Sequence, residues 1–275
     1  MQIHRLTDPR FGESLYATNG IAELYIPLSY GIRIAHFSFC GGENVFWEQP
    51  KDMTDFTRDG WRIRGGHRMW VAPEDDREYF PDNSPIDCHM EGDTIYLAQQ
   101  EDTLQKVIKS MEITFTEDAS VKVVHKLRNT DTQPRECALW AISVMAPGGV
   151  EQIPLQLVDD GDHPSHWLSF WTNTNIGDRR VRYQKDQILL EHYPTGDTYK
   201  IGVSRINGPV RYANHGVVFE KDFSVTDGML YPDNNVSYET FLCDHMAELE
   251  SLSPLYTFAP GETREHTEVW RLRNQ

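Results

Sequence analysis

The sequence predicts an all-β protein, and three observations carry that prediction. Runs that alternate apolar and polar residues, or are rich in β-branched residues, recur at strand length along the chain. Turn residues separate them. Segments with apolar residues at helical spacing are scarce: Gly148 to Leu157 comes nearest, and Gly148, Gly149 and Pro154 weaken it. No linker-like stretch and no propeller-length repeat interrupts the 275 residues. The expectation is therefore a single domain over residues 1–275, a large sandwich of two twisted antiparallel sheets with little helix.

In chain order, strands are expected through Ala22, Leu24 and Ile26, then through Ile32, Ile34, His36 and Ser38. A middle group runs through Thr94 to Ala98, Lys106 to Thr114 and Val121 to Leu127, with Glu117 to Ser120 turning the last two into a hairpin. Cys137 to Met145 reads as a buried strand that ends in the turn Pro147-Gly148-Gly149. Lys200 to Ser204 and Ala247 to Leu252 are later strands, and Pro260-Gly261 turns the chain into Glu268 to Leu272.

Composition excludes several classes. The net charge of −16 is spread along the chain, so nucleic acid, which needs a clustered basic footprint, is not an expected partner. The basic groups Arg62/Arg64/Arg68 and Arg179/Arg180/Arg182 are interleaved with other residues. Apolar stretches such as Ala138 to Ile142 fall far short of the ~20 residues of a membrane helix, and no secretory signal opens the chain. A cytoplasmic location without membrane attachment is expected. Cys40, Cys88, Cys137 and Cys243 show no zinc or disulfide spacing and are expected to be reduced and buried. No HExxH, EF-hand loop or P-loop appears, and Ser143 lacks a nucleophile elbow, so neither a metal nor a cofactor is expected.

Two segments carry candidate chemistry. His67, Arg68, Trp70 and Glu74 fall close together after Gly65-Gly66, followed by Asp82. Paired glycines allow close approach of a backbone or ligand, and in strand geometry His67 faces opposite to Arg68 and Trp70. Indole faces with charged hydrogen-bonding groups suit a sugar ring and its hydroxyls, although Trp70 also suits a core. Further on, Glu248 and Glu250 share one strand face about 6.6 Å apart, where mutual repulsion raises one pKa toward the range of a general base. A solvated strand face gives the same pattern. Trp140 is a candidate pocket wall, Lys200 a candidate ligand group, and Tyr231 to Asn235 a turn that brings Asp233 or Asn234 to the same rim.

Taken in order, these segments resemble the galactose mutarotase-like, or aldose 1-epimerase-like, superfamily. The resemblance is carried by Tyr30 to Phe37 with Gly42 to Val45, by Gly65 to Arg68 with Trp70 and Pro73-Glu74, and by the strand through Trp140. It is completed by Leu249-Glu250-Ser251 with Pro254-Leu255, Ala259 to Glu262 and His266 to Trp270. It implies a β-supersandwich with a concave sugar-binding face and a small-molecule carbohydrate ligand. It also implies anomer interconversion of a free aldose or sugar derivative, with Glu250 as base and His67 as the acid or orienting donor. Arg68, Glu74, Asp82 and Glu248 would bind hydroxyl or anionic groups between the walls Trp70 and Trp140. The strand that supplies the superfamily's catalytic histidine contains none here, from Trp140 to Met145. That departure leaves two alternatives open: a non-catalytic sugar-binding or sensing module on the same fold, and a polysaccharide lyase or glycosidase-associated domain.

Overall fold

The computed structural model describes residues 1–156 and 161–275, with 51% of the chain in strands and 3% in helix. Strands Gln2–Asp8, Gly12–Thr18, Ala22–Pro27 and His36–Phe39 form a four-stranded sheet in chain order. A ten-stranded sheet runs from Val181–Tyr183 at one edge to Asp87–Glu91 at the other, with Val217–Asp222, Thr263–Asn274 and Ser120–Asn129 at its centre. A seven-stranded sheet places Leu168–Phe170, Tyr199–Val203, Tyr238–Leu242, Ala247–Leu252 and Arg135–Met145 side by side. Gly66–Ala72 pairs with the free side of Arg135–Met145. The expected all-β sandwich is the observed one.

Register in the seven-stranded sheet decides which side chains meet. Trp70 lies opposite Trp140 and Arg68 opposite Ile142. Glu250 lies opposite Ile142 on one side and Glu239 on the other, while Phe241 faces both Glu248 and Lys200. Directly paired residues share a face, so these side chains form one surface and the alternate residues the other. The alternate face packs on the ten-stranded sheet, where Lys221 Nζ donates to the carbonyls of Ala141 and Leu249, both at 2.8 Å. The apolar core between them draws on all three sheets, with Leu24 and Phe37, Val123 and Trp270, and Tyr199 and Leu249 all buried in it.

Gly65 and Gly66 explain how the Gly66–Ala72 strand is seated. Both have positive φ, and a Cβ on either would lie 2.0 Å from the Trp47 carbonyl oxygen or 2.5 Å from that of Ile34. Only glycine permits this approach, which bridges Gly65 to Glu48 and His67 to Ile34.

Three local expectations need correction. The second early strand covers only His36–Phe39, because Ile34 pairs with His67 rather than continuing toward Ala22–Pro27. The weak helical pattern after Gly148 is the strand Val150–Pro154, captured between Gln187–Glu191 and Val210–Asn214; Leu157 lies outside the described residues. All four cysteines are free, but Cys40 is exposed just past His36–Phe39, and Cys88 is only half-buried because Asp87–Glu91 is an edge strand that touches the core containing Cys137 from outside. Among the described residues no helix is long and apolar enough to cross a membrane.

Candidate functional site

The outward face of the seven-stranded sheet floors a pocket of about 380 Å³, within the size range of small-molecule sites. Trp70 and Trp140 rise from adjacent strands with ring centroids 5.6 Å apart, and Trp61 packs 5.4 Å from Trp70. Tyr79 sets its edge against both Trp61 and Trp70, and Trp171 lines the pocket from beyond Leu168–Phe170. The Arg68 guanidinium lies 4.6 Å over the Trp70 ring and donates from Nη2 to Glu248 at 3.1 Å. Glu74 at the rim accepts from the Tyr79 hydroxyl at 2.9 Å.

Below Trp140 the floor becomes ionic. Lys200 Nζ lies 2.9 Å from the Glu239 carboxyl, 3.3 Å from that of Glu250 and 4.5 Å from the Trp140 ring. Trp140 Nε1 donates to Glu250 Oε2 at 2.8 Å. Burial pushes the Glu250 carboxyl up to about 7 against the pull of Lys200. Burial also holds Glu239 well above the usual carboxyl range, with Lys200 again opposing. Burial works against the Lys200 charge, yet Glu250 and Glu239 together keep that ammonium above the ordinary lysine range. One cation thus faces two buried carboxyls, so one of the pair retains a proton near neutral pH.

Hydrogen bonding is incomplete here. Glu250 Oε1, Glu239 Oε1, Arg68 Nε and Arg68 Nη1 are buried without a partner in the protein. Such atoms are uncommon in folded proteins; Asp233 lies within hydrogen-bonding reach of the Glu239 carboxyl, and the atoms of Glu250 and Arg68 remain for groups the chain itself does not supply.

No family model matches the chain, and no curated protein matches it in sequence. Solved structures do match. A galactose mutarotase-like protein from Lactobacillus casei superposes with a TM-score of 0.63 at 12% identity, covering 94% of this chain and 100% of that one. A galactose mutarotase-like protein from Clostridium acetobutylicum gives 0.56 at 11%, over 100% and 99% of the two chains. A galactose mutarotase related enzyme from Lactobacillus acidophilus gives 0.55 at 8%, over 95% and 97%. The chain has the galactose mutarotase-like fold. At these identities the likeness concerns architecture.

Within this mutarotase-like fold, the residues singled out in the sequence separate into three groups. Arg68, Trp70, Glu74, Trp140, Lys200 and Glu248 all line the pocket. Glu250 lies just beneath the floor, fully buried behind Trp140 and Lys200. His67 and Asp82 are elsewhere. His67 is fully buried on the inward face, with Nδ1 2.9 Å from Ser143 Oγ and Nε2 2.7 Å from His125 Nε2. Strand alternation turns it away from Arg68, so it cannot serve as the acid in this pocket. Asp82 accepts from Arg33 Nη2 at 3.0 Å, and its backbone carbonyl accepts from Gly31, which makes it a tie for the Tyr30–Arg33 segment rather than a pocket ligand.

His67, His125 and Glu268 bring ligand-type atoms within 4.8 Å of one another. The imidazoles are already in hydrogen-bond contact, and Lys221 Nζ lies 3.0 Å from Glu268 Oε1. That ammonium occupies the charge-balancing place that a cation would take.

Sequence reading missed Glu239, Trp61 and Trp171. The hairpin signal around Asp244 could have found Glu239, because pairing Tyr238–Leu242 with Ala247–Leu252 sets it opposite Glu250. Trp61 sits in a two-residue strand and Trp171 just past a three-residue one, where periodicity gives no signal. Asp233, expected at the rim, lies close enough to Glu239 to share a hydrogen bond, and burial raises its carboxyl.

Proposed function

We propose that the pocket binds a carbohydrate of about monosaccharide size. One observation carries this reading: four indoles line a volume of about 380 Å³, with unpartnered buried atoms of Arg68 on its lining and of Glu250 in contact with the lining residues Trp140 and Lys200. Sugar rings stack their C–H faces on indoles, and their hydroxyls both donate to carboxylates and accept from guanidinium or ammonium groups. A volume of about 380 Å³ suits a monosaccharide, whereas a lyase or glycosidase-associated domain would use an elongated groove.

Glu250 favours a second reading, slow interconversion of anomers. That reaction needs a base for the anomeric hydroxyl and an acid for the ring oxygen, and Glu250, raised to about 7, suits the base. With His67 on the other face, Lys200 is the acid at the floor. Glu239 and Glu250 hold its proton tightly, so it is a weak acid and turnover is slow.

The test is NMR exchange spectroscopy with a panel of free aldoses, comparing the native protein with Glu250→Gln. Exchange accelerated by the native protein alone establishes anomer interconversion and names the sugar. Ligand line broadening without acceleration leaves a binding module. Absence of both signals with every aldose overturns the carbohydrate reading.

A further inference from the structure

The segment from Trp61 to Arg64 is a wall with two faces. Trp61 and Ile63 line the indole pocket, whereas Arg62 and Arg64 line a separate groove of about 620 Å³ on the other side. Lys51 and Arg10 complete the cationic lining of that groove, with Phe11 and Tyr30 as its aromatic surface. In a chain of net charge −16, this groove sets four cations against one lining carboxylate, Glu48.

That carboxylate is already engaged. Glu48 accepts from Arg10 Nη1 at 3.1 Å, and Asp8 holds Arg10 Nε at 3.2 Å. The other three cations contact neutral oxygens: Lys51 Nζ donates to the Pro9 carbonyl at 2.9 Å, Arg62 Nη2 to that of Met53 at 3.5 Å, and Arg64 Nη2 to the Asn83 side chain. None of the three has a carboxylate partner among the described residues. The Nε atoms of both Arg62 and Arg64 are buried without a partner. Arg64 is held 4.2 Å over the Tyr30 ring, and burial together with the Arg33 charge lowers its pKa. An anion in the groove would relieve that like-charge crowding.

We propose that this groove binds a small organic oxyanion, a phosphorylated or polycarboxylate compound gripped by Arg62, Arg64 and Lys51. The groove is larger than one inorganic ion needs, and Tyr30 and Phe11 give an organic body a surface to cover. The site stands independently of the carbohydrate reading, because its residues and those of the indole pocket lie on opposite sides of the wall.

Isothermal titration calorimetry of the full chain with inorganic pyrophosphate and with citrate tests it. The native protein should bind at least one of them saturably, and more weakly as salt rises. Arg62→Gln combined with Arg64→Gln should weaken binding at least tenfold. Pyrophosphate binding alone assigns a phosphorylated ligand and citrate binding alone a polycarboxylate, and either supports the site. No saturable binding of either probe by the native protein overturns the proposal, as does an affinity unchanged in the double variant. Should that variant not fold, Lys51→Glu at an exposed position supplies the same readout, with an expected loss of several-fold.

Discussion

On the inward face of the seven-stranded sheet, His67, Ser143 and Ser251 meet Lys221, His125, His266 and Glu268 from the ten-stranded sheet. None of these side chains has a buried polar atom without a partner. Lys221 alone reaches two carbonyls, Ser143 and Glu268, and Trp270 Nε1 donates to the far oxygen of Glu268 at 2.8 Å. On the outward face of the same strands, Arg68, Glu239 and Glu250 are as deeply buried, yet each retains unpartnered atoms. Burial and charge are therefore alike on these two faces, and hydrogen-bond completeness is what differs between them. A closed network fixes two sheets together, whereas an open one is poised for a ligand.

Breaking the closed network should have the largest effect. Lys221→Met leaves Glu268 buried without its cation, and a loss of about 3–5 kcal/mol is expected in denaturant unfolding. Stability close to that of the native protein would remove the scaffold role from this face. On the open side, Glu250→Gln should cost no stability near neutral pH while anomer exchange falls by about 10²–10⁴-fold, read by exchange spectroscopy. A large loss of stability with unchanged exchange would reverse the two assignments.

Smaller effects sharpen the contrast. Trp171→Ala, at a half-buried wall position, should weaken sugar binding about tenfold, or about 1.4 kcal/mol, by ligand titration with the fold intact. The pH dependence bears on the same contrast. The folded Glu250 pKa of about 7 lies above its ordinary value of 4.5, so between these values the native state holds a proton that the unfolded chain has released. Stability from this carboxyl is thus present below about 4.5 and declines as pH rises toward about 7. Exchange activity should rise over the upper part of the same window as Glu250 ionises. Glu250→Gln should flatten both profiles, and an unaltered stability profile would remove Glu250 as their source.

Much of this architecture was legible from local pattern. Alternation located Ala247–Leu252, and the apolar run from Cys137 located Arg135–Met145, because two-residue periodicity is a property of neighbouring residues. The same alternation gave the shared face of Glu248 and Glu250 and the opposed faces of His67 and Arg68. Gly65-Gly66 announced a close approach, and the structure supplies the neighbours, Trp47 and Ile34. The resemblance through Leu249-Glu250-Ser251 and the closing strand pointed to the galactose mutarotase-like fold.

What the sequence by itself determined is the all-β class, the principal strands and the alternation of faces within each, since backbone geometry enforces these over a few residues. Which face meets the second sheet was decided only in the tertiary structure. There, contacts distant in sequence placed His67 beside His125, joined Asp82 to Arg33, and brought Glu239 and Lys200 to Glu250. A side chain's chemistry follows from such neighbours, and no spacing along one strand specifies them.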